Sequence, residues 1–96
     1  MARLQVEVRP GVGVGGYSLF VDGVPVKMDA DHRGEAQCEG RCGDGSSHAL
    51  LYSISGRPGG TLSIVLKCRG REVCRVAAAS VPEGGARGAG RKLFDL

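Results

Sequence analysis

The sequence has no tryptophan and few other aromatic residues: two Tyr and two Phe make up 4% of its 96 residues. No run of apolar residues approaches the roughly 20 that are needed to span a bilayer. Nowhere do apolar residues recur at the spacing i, i+3, i+4, i+7 that is typical of an amphipathic helix. These absences argue against a membrane span and against a helical bundle.

The first residues also lack an apolar stretch followed by a small-residue cleavage site. The sequence therefore predicts no secretory signal, and a cytoplasmic protein. What the chain has in abundance is glycine, with 17 residues, beside a hydrophobic fraction of 42%. This composition is typical of many turns around a thin aliphatic core, and the length predicts a single domain over residues 1–96.

Alternating apolar and polar residues predict a first strand at residues 3–8. The dipeptide Asp22-Gly23 then predicts a two-residue hairpin turn, because both positions of such a turn need a positive φ. Pro25 has no N–H, so the strand after this turn is predicted at a sheet edge. The turn predicts three apolar cross-strand pairs, which are Val21 with Val24, Leu19 with Val26 and Tyr17 with Met28.

Two further hairpins are predicted in the C-terminal half. The first pairs residues 48–55 with residues 61–69 across the turn-forming segment 56–60, and it places His48 opposite Cys68. The second turns at residues 70–72 and places Cys68 opposite Cys74. The three side chains would then form one cross-strand row.

These hairpins predict an all-β fold with six to seven short antiparallel strands, the last near residues 93–96. Such sheets bury one face each, so we expect a small β-sandwich or a partly open barrel. Two segments interrupt the pattern. A long polar loop is expected at residues 29–47, with room for a short strand near 34–38, and a Gly/Arg-rich loop at residues 82–92.

Cysteine and histidine are the main candidates for chemistry. Their spacing is His32-x5-Cys38-x3-Cys42-x5-His48, followed by Cys68-x5-Cys74. Thiolate and imidazole suit tetrahedral zinc, so a zinc cofactor is one hypothesis. Its candidate ligands are Cys38, Cys42, Cys68, Cys74 and His48.

Three alternatives for the cysteines stay open. Buried free thiols are the usual state in a reducing cytoplasm, and they need no cofactor. Opposed strand positions can instead form a cross-strand disulfide. A cysteine nucleophile with His48 as its base is the third, although no feature of the sequence lowers a thiol pKa.

Charge is uneven along the chain. Residues 1–48 hold five basic and seven acidic side chains, and residues 49–96 hold eight basic and three acidic ones. The basic half allows an acidic partner or a nucleic acid, but exposed aromatic residues that would stack on bases are not evident. No membrane partner is predicted, and self-association through a sheet edge stays open.

The sequence favours a small non-enzymatic binding module that presents the 29–47 loop to a protein or other ligand, because loops on a rigid scaffold often carry function. No catalytic residue is identified. The alternatives are a small zinc protein and a Cys/His enzyme. The candidate contact residues are the polar side chains of the loop: Asp31, His32, Arg33, Glu35, Arg41 and Asp44.

Overall fold

Nine β-strands and no helix make up the part of the computed structural model that is described, residues 1–84 and 87–96. The strands are β1 (Ala2–Pro10), β2 (Val14–Val21), β3 (Val24–Pro25), β4 (Lys27–Met28), β5 (Arg33–Cys38), β6 (Ser47–Gly56), β7 (Thr61–Cys68), β8 (Arg71–Ser80) and β9 (Arg87–Asp95). Over these residues the structure shows no helix that is long and apolar enough to cross a membrane.

The strands form two antiparallel sheets. One has five strands in the order β4-β5-β1-β7-β8, and the other has four in the order β3-β2-β6-β9. The predicted all-β sandwich is confirmed. The strand number is higher than the six or seven predicted, because β3 and β4 are two-residue strands and β5 lies within the segment predicted as a loop.

The core lies between the two sheets and is built from alternate strand positions. In β1, Leu4, Val6 and Val8 are buried while Arg3 and Gln5 face solvent. The largest fully buried side chains come from both sheets: Leu4, Leu50, Ile54, Ile64, Leu66, Val6 and Val21. Each stabilises the fold by about 1.5–3 kcal/mol relative to an exposed side chain.

The first predicted hairpin is confirmed at its turn. Val21 pairs with Val24, and Asp22 and Gly23 have φ values of 50° and 81°. The predicted pair of Tyr17 with Met28 is wrong, because β4 leaves this sheet and pairs with β5 of the other sheet. The N–H of Val26 still donates to Leu19 C=O at 3.0 Å, in agreement with the predicted pair, and Pro25 lies in the edge strand β3, as predicted.

The second predicted hairpin is wrong. Strand β6 pairs with β2 and β9, whereas β7 pairs with β1 and β8, so the two strands lie in different sheets. Their connection packs against neighbouring loops: the N–H of Arg57 donates to Gly13 C=O at 2.8 Å, and the N–H of Gly59 donates to Val81 C=O at 3.1 Å. His48 and Cys68 are therefore not cross-strand neighbours.

The third hairpin, between β7 and β8, exists with a different register. Its turn is Arg69-Gly70, with φ values of 53° and 80°, rather than residues 70–72. Leu66 lies opposite Cys74, and Cys68 lies opposite Arg71. The predicted row of His48, Cys68 and Cys74 is consequently not formed.

Each predicted loop contains a strand, and the short strand expected near residues 34–38 is present as β5. In the 29–47 segment, β5 pairs with β1 from Ala2↔Cys38 to Glu7↔Arg33, so a strand separates two short loops. In the 82–92 segment, β9 begins at Arg87, while residues 85 and 86 lie outside the described part of the chain. Gly90 faces the ring of Tyr52, where a Cβ atom would collide, so this glycine permits close strand packing.

Candidate functional site

The five predicted zinc ligands are separated in the structure. Cys42 and Cys68 form a disulfide with Cα atoms 5.8 Å apart, whereas Cys38 and Cys74 are free and buried. Disulfide sulfurs are not the thiolates that bind metal. Across residues 1–84 and 87–96, no three His, Cys, Asp or Glu side chains are placed to hold a metal ion. Disulfide formation, one of the open alternatives, joins Cys42 to Cys68 and not Cys68 to Cys74.

The two free cysteines are poorly suited to act as nucleophiles. Burial raises the pKa of the Cys38 thiol, with a further increase from the charges of nearby acidic groups. Burial likewise raises the pKa of Cys74 and outweighs the opposing effect of Lys92. Both side chains therefore stay neutral thiols near neutral pH, in agreement with the buried-thiol alternative.

Residues 39–46 form a short loop after β5, called the 39–46 loop. His48 connects the end of this loop to the turn between β2 and β3. It is 7% exposed, its Nδ1 lies 2.6 Å from Asp22 Oδ2, and its Nε2 lies 2.9 Å from Ser46 Oγ. The second oxygen of Asp22 accepts the N–H of Ala49 at 2.9 Å. Both ring nitrogens of His48 thus face Asp22 and Ser46, and no hydrogen bond joins His48 to a cysteine among the described residues.

The carboxyl group of Asp22 titrates under opposing influences. Burial acts to raise its pKa, but the hydrogen bonds from His48 and from the N–H of Ala49, with the charge of His48, outweigh it. The pKa of Asp22 is therefore lowered, and the side chain is ionised where it meets His48. The hairpin turn predicted from Asp22-Gly23 thus has a second role as an anchor for the imidazole.

The 39–46 loop is fixed by Asp44. Oδ2 of Asp44 accepts the N–H of Arg41 at 2.7 Å, and Oδ1 accepts the N–H and the hydroxyl of Ser46 at 2.8 and 2.6 Å. The hydrogen bonds from Ser46 and Arg41 lower the pKa of Asp44 to about 2. The loop is also joined to the chain terminus, because Gly45 N–H donates to Leu96 C=O and Leu96 N–H donates to Ser46 C=O.

Hydrogen bonds link a serine, a histidine and an aspartate in the spatial order of a serine-hydrolase triad: Ser46, His48 and Asp22. The other hydrogen bonds around them do not support that chemistry. The single hydroxyl proton of Ser46 goes to Asp44, so His48 cannot take it as a base. The N–H groups of residues 44–46 already donate to other acceptors, which leaves none of them to stabilise an oxyanion. These residues hold the loop in place.

The turn before β5 forms a second, separate cluster. Asp29 Oδ1 accepts the N–H groups of Asp31 and Arg33 at 2.8 and 3.1 Å. His32 adopts a φ of 61°, and its Nδ1 lies 2.7 Å from the Tyr17 hydroxyl. Burial, with the charge of Asp29, raises the pKa of Tyr17, so its hydroxyl keeps its proton near neutral pH.

The six predicted contact residues lie at different positions along β5. Residues 31–33 lie at its start, Glu35 lies on it, and Arg41 and Asp44 follow its end. Six residues of strand cover roughly 17 Å at about 3.4 Å per residue. Strand β5 therefore divides the 29–47 segment into two separate groups of contact residues, which do not form one continuous loop.

A shallow cavity of about 560 Å³ covers part of this strand on the outer face of the five-stranded sheet. Its charged side chains are of both signs, with Lys27 and Arg33 beside Glu7, Asp29 and Glu35. The two basic and three acidic groups leave only a small excess of negative charge. The cavity therefore has no strong preference for a ligand of either charge.

A smaller cavity at the other end of β5 has only one sign of charge. It measures about 280 Å³ and is lined by Met1, Ala2, Arg3, Arg41, Cys42 and Arg69. We call it the arginine cavity. Of its arginines, Arg41 is among the predicted contact residues, and Arg69 belongs to the basic half that was predicted to allow an acidic partner or a nucleic acid. Arg41-Cys42 and Cys68-Arg69 indicate this cluster once the disulfide is known, since each cysteine has an arginine as its neighbour.

Comparisons with protein-family models, with curated proteins and with solved structures gave no match to this chain.

Proposed function

We propose that this protein is a small non-enzymatic binding module that presents the 39–46 loop to a protein partner. The observation that carries the proposal is the fixed conformation of this loop. The Cys42–Cys68 disulfide, the hydrogen bonds of Asp44 and the pairing with Leu96 hold it from three directions. A loop that is ordered before binding loses less conformational entropy in the complex.

The anchors leave several side chains of the loop free for contact. Glu39, Arg41 and Asp44 are exposed, whereas the cysteine that bonds the loop to β7 is half-buried. Gly43 and Gly45 adopt φ values of 89° and 76°, and a Cβ atom on either would meet nothing within 4 Å. The chain therefore turns sharply at the tip, and a partner can approach its backbone closely.

The partner that suits this end of the molecule is an acidic protein surface. The chain has a formal net charge of +3, and the loop lies beside the arginine cavity. A complementary negative surface accelerates association and fixes orientation. Nucleic acid is the less favoured partner, because the exposed arginines of β9 are accompanied by Leu93 and not by an aromatic side chain that stacks on bases.

The disulfide indicates the redox environment in which the module acts. Cytosolic thiols are kept reduced, and stable disulfides are typical of oxidising environments. The Cys42–Cys68 bond therefore favours an oxidising environment over the cytoplasm that the sequence predicts.

The test uses three immobilised forms of the full chain: wild type, a loop variant with Glu39→Ala and Arg41→Ala, and a control variant with Asp31→Ala at the opposite end of β5. A protein captured by the wild type is purified, and its affinity for each form is measured by titration calorimetry. We expect the loop variant to bind at least roughly tenfold more weakly, comparable to the removal of one charge-assisted contact. The affinity of the control variant should be unchanged. Equal affinities for all three forms would show that the 39–46 loop is not the binding element.

A further inference from the structure

The arginine cavity is assembled by the disulfide. Arg41 directly precedes Cys42, and Arg69 directly follows Cys68, so the bond between the two cysteines brings both arginines to one place. Arg3 is added by β1, because its neighbour Leu4 pairs with Cys68. The sulfur of Cys68 lies 3.8 Å from the carbonyl oxygen of Arg3, a packing contact because a disulfide sulfur has no proton to donate.

Within the described part of the chain, no ion pair joins these three guanidinium groups to a carboxylate. Among residues 1–84 and 87–96, the ion pairs are His48 with Asp22 and Arg75 with Glu72. Asp44, an acidic residue of the same loop, directs its oxygens to the N–H of Arg41 and to Ser46. All three arginines are exposed, so their charged groups are accessible to an anion from solution.

The backbone conformation of Arg69 is a second indication that its guanidinium group serves a ligand site. Arg69 has a φ of 53°, in the left-handed region that asparagine and glycine adopt more easily. Arginine is a poor choice for this turn if only the hairpin matters. Strained positions of this kind often occur at ligand sites.

The charge and size of the cavity indicate the class of anion. About 280 Å³ lies at the lower limit of cavities that enclose a small molecule, so one anionic group fits while the rest of its carrier lies outside. A carboxylate has one negative charge and two oxygens. A phosphate monoester has a charge of about −1.5 to −2 and three acceptor oxygens, which matches three guanidinium groups more closely.

We infer that the arginine cavity binds a phosphate monoester on the protein partner of the 39–46 loop. This inference rests on the proposed function, because Arg41 belongs both to the loop and to the cavity. The partner is thus a phosphorylated protein, bound by Arg3, Arg41 and Arg69 at the modified side chain.

The test titrates the oxidised full chain, labelled with ¹⁵N, with a phosphoserine peptide whose other residues are neutral and with its unphosphorylated form. We expect saturable amide shifts at Arg41, Cys42 and Arg69 with the phosphopeptide alone, and competition by inorganic phosphate. Similar shifts with both peptides overturn the inference. The inference is also overturned if an RNA oligonucleotide without a terminal phosphate shifts the same amide signals and binds more tightly than the phosphopeptide.

Variants separate the cavity from general positive charge. Arg41→Gln and Arg69→Asn should each weaken phosphopeptide binding roughly tenfold, while Arg75→Gln, which removes an arginine that is already paired with Glu72, leaves it unchanged. Equal losses in all three variants refute the inference. The Asn variant keeps a residue suited to the left-handed turn, so lost binding there is not a consequence of unfolding.

The same reagents distinguish failure of the inference from failure of the proposed function. If the captured partner needs the loop but binds equally well after phosphatase treatment, the phosphate site is refuted and the loop function stands. If the phosphopeptide binds through the three arginines but the partner does not need the loop, the proposed function is refuted.

Discussion

Removal of the Cys42–Cys68 disulfide should destabilise the fold substantially. The bond closes a loop with a sequence separation of 26 residues. The loop-entropy relation for this length gives about 3.5 kcal/mol at 25 °C. The total free energy of unfolding expected for 96 residues is about 5–14 kcal/mol, so the bond supplies a large share of it.

The assay is urea unfolding followed by far-ultraviolet circular dichroism, because the chain has no tryptophan for fluorescence. The wild type is measured with and without a thiol reductant, and a variant with Cys42→Ala and Cys68→Ala serves as the control. Reduction should lower the urea midpoint of the wild type by on the order of 2 M and leave that of the variant unchanged. Phosphopeptide binding should weaken on reduction as well, because the bond holds the arginine cavity together.

Two results would refute this reasoning. One is a wild-type midpoint that does not respond to the reductant. The other is a count of four reactive thiols in the unfolded, unreduced protein, where the structure requires only those of Cys38 and Cys74. Either result would show that the two arginine-bearing segments are not covalently joined.

Three further variants test the geometry elsewhere. Hydrogen bonds lower the pKa of Asp44 from 3.8 to about 2, so they stabilise the fold above pH 3.8 and this contribution is lost as the pH falls through 2. The difference in urea midpoint between the wild type and Asp44→Asn should therefore shrink below pH 4, and a difference that does not change with pH contradicts the network. Arg69→Asn should keep or raise the thermal midpoint, because asparagine accepts a φ of 53° more readily, and a clear decrease would mean that the arginine supports the fold. Gly34→Ala should lower stability by about 1–3 kcal/mol in urea unfolding, since its Cβ atom would lie against Lys27 C=O and 2.7 Å from Met28 Sδ; an unchanged midpoint contradicts the packing of β4 on β5.

Local features of the fold follow from the sequence because they depend on neighbouring residues. The Asp22-Gly23 turn fixes the pair Val21 and Val24, since the turn type and the register are linked. Alternation in β1 correctly predicts which side chains enter the core. The register between β7 and β8 was missed because Arg69 adopts a left-handed φ that glycine or asparagine would have signalled more clearly.

The sheet to which a strand belongs is not determined by such local patterns. Strands β6 and β7 show the same alternation whether they pair as a hairpin or face each other across the core. Leu50 and Leu66 are fully buried in the observed arrangement and would also share a face in the predicted one. The difference lies in contacts that are distant in sequence, such as the hydrogen bond between Arg57 and Gly13.

The error in strand pairing and the error in the candidate site have the same origin. The row of His48, Cys68 and Cys74, which offered a thiol to His48 and ligands to zinc, exists only if β6 and β7 are hairpin partners. With β7 in the sheet of β1, Cys68 lies instead beside Arg3 and within reach of Cys42. The change of sheet that separates the predicted metal ligands therefore also brings three arginines to one cavity. A site of this kind depends on tertiary contacts of residues distant in sequence, so spacing along the chain could not have predicted it.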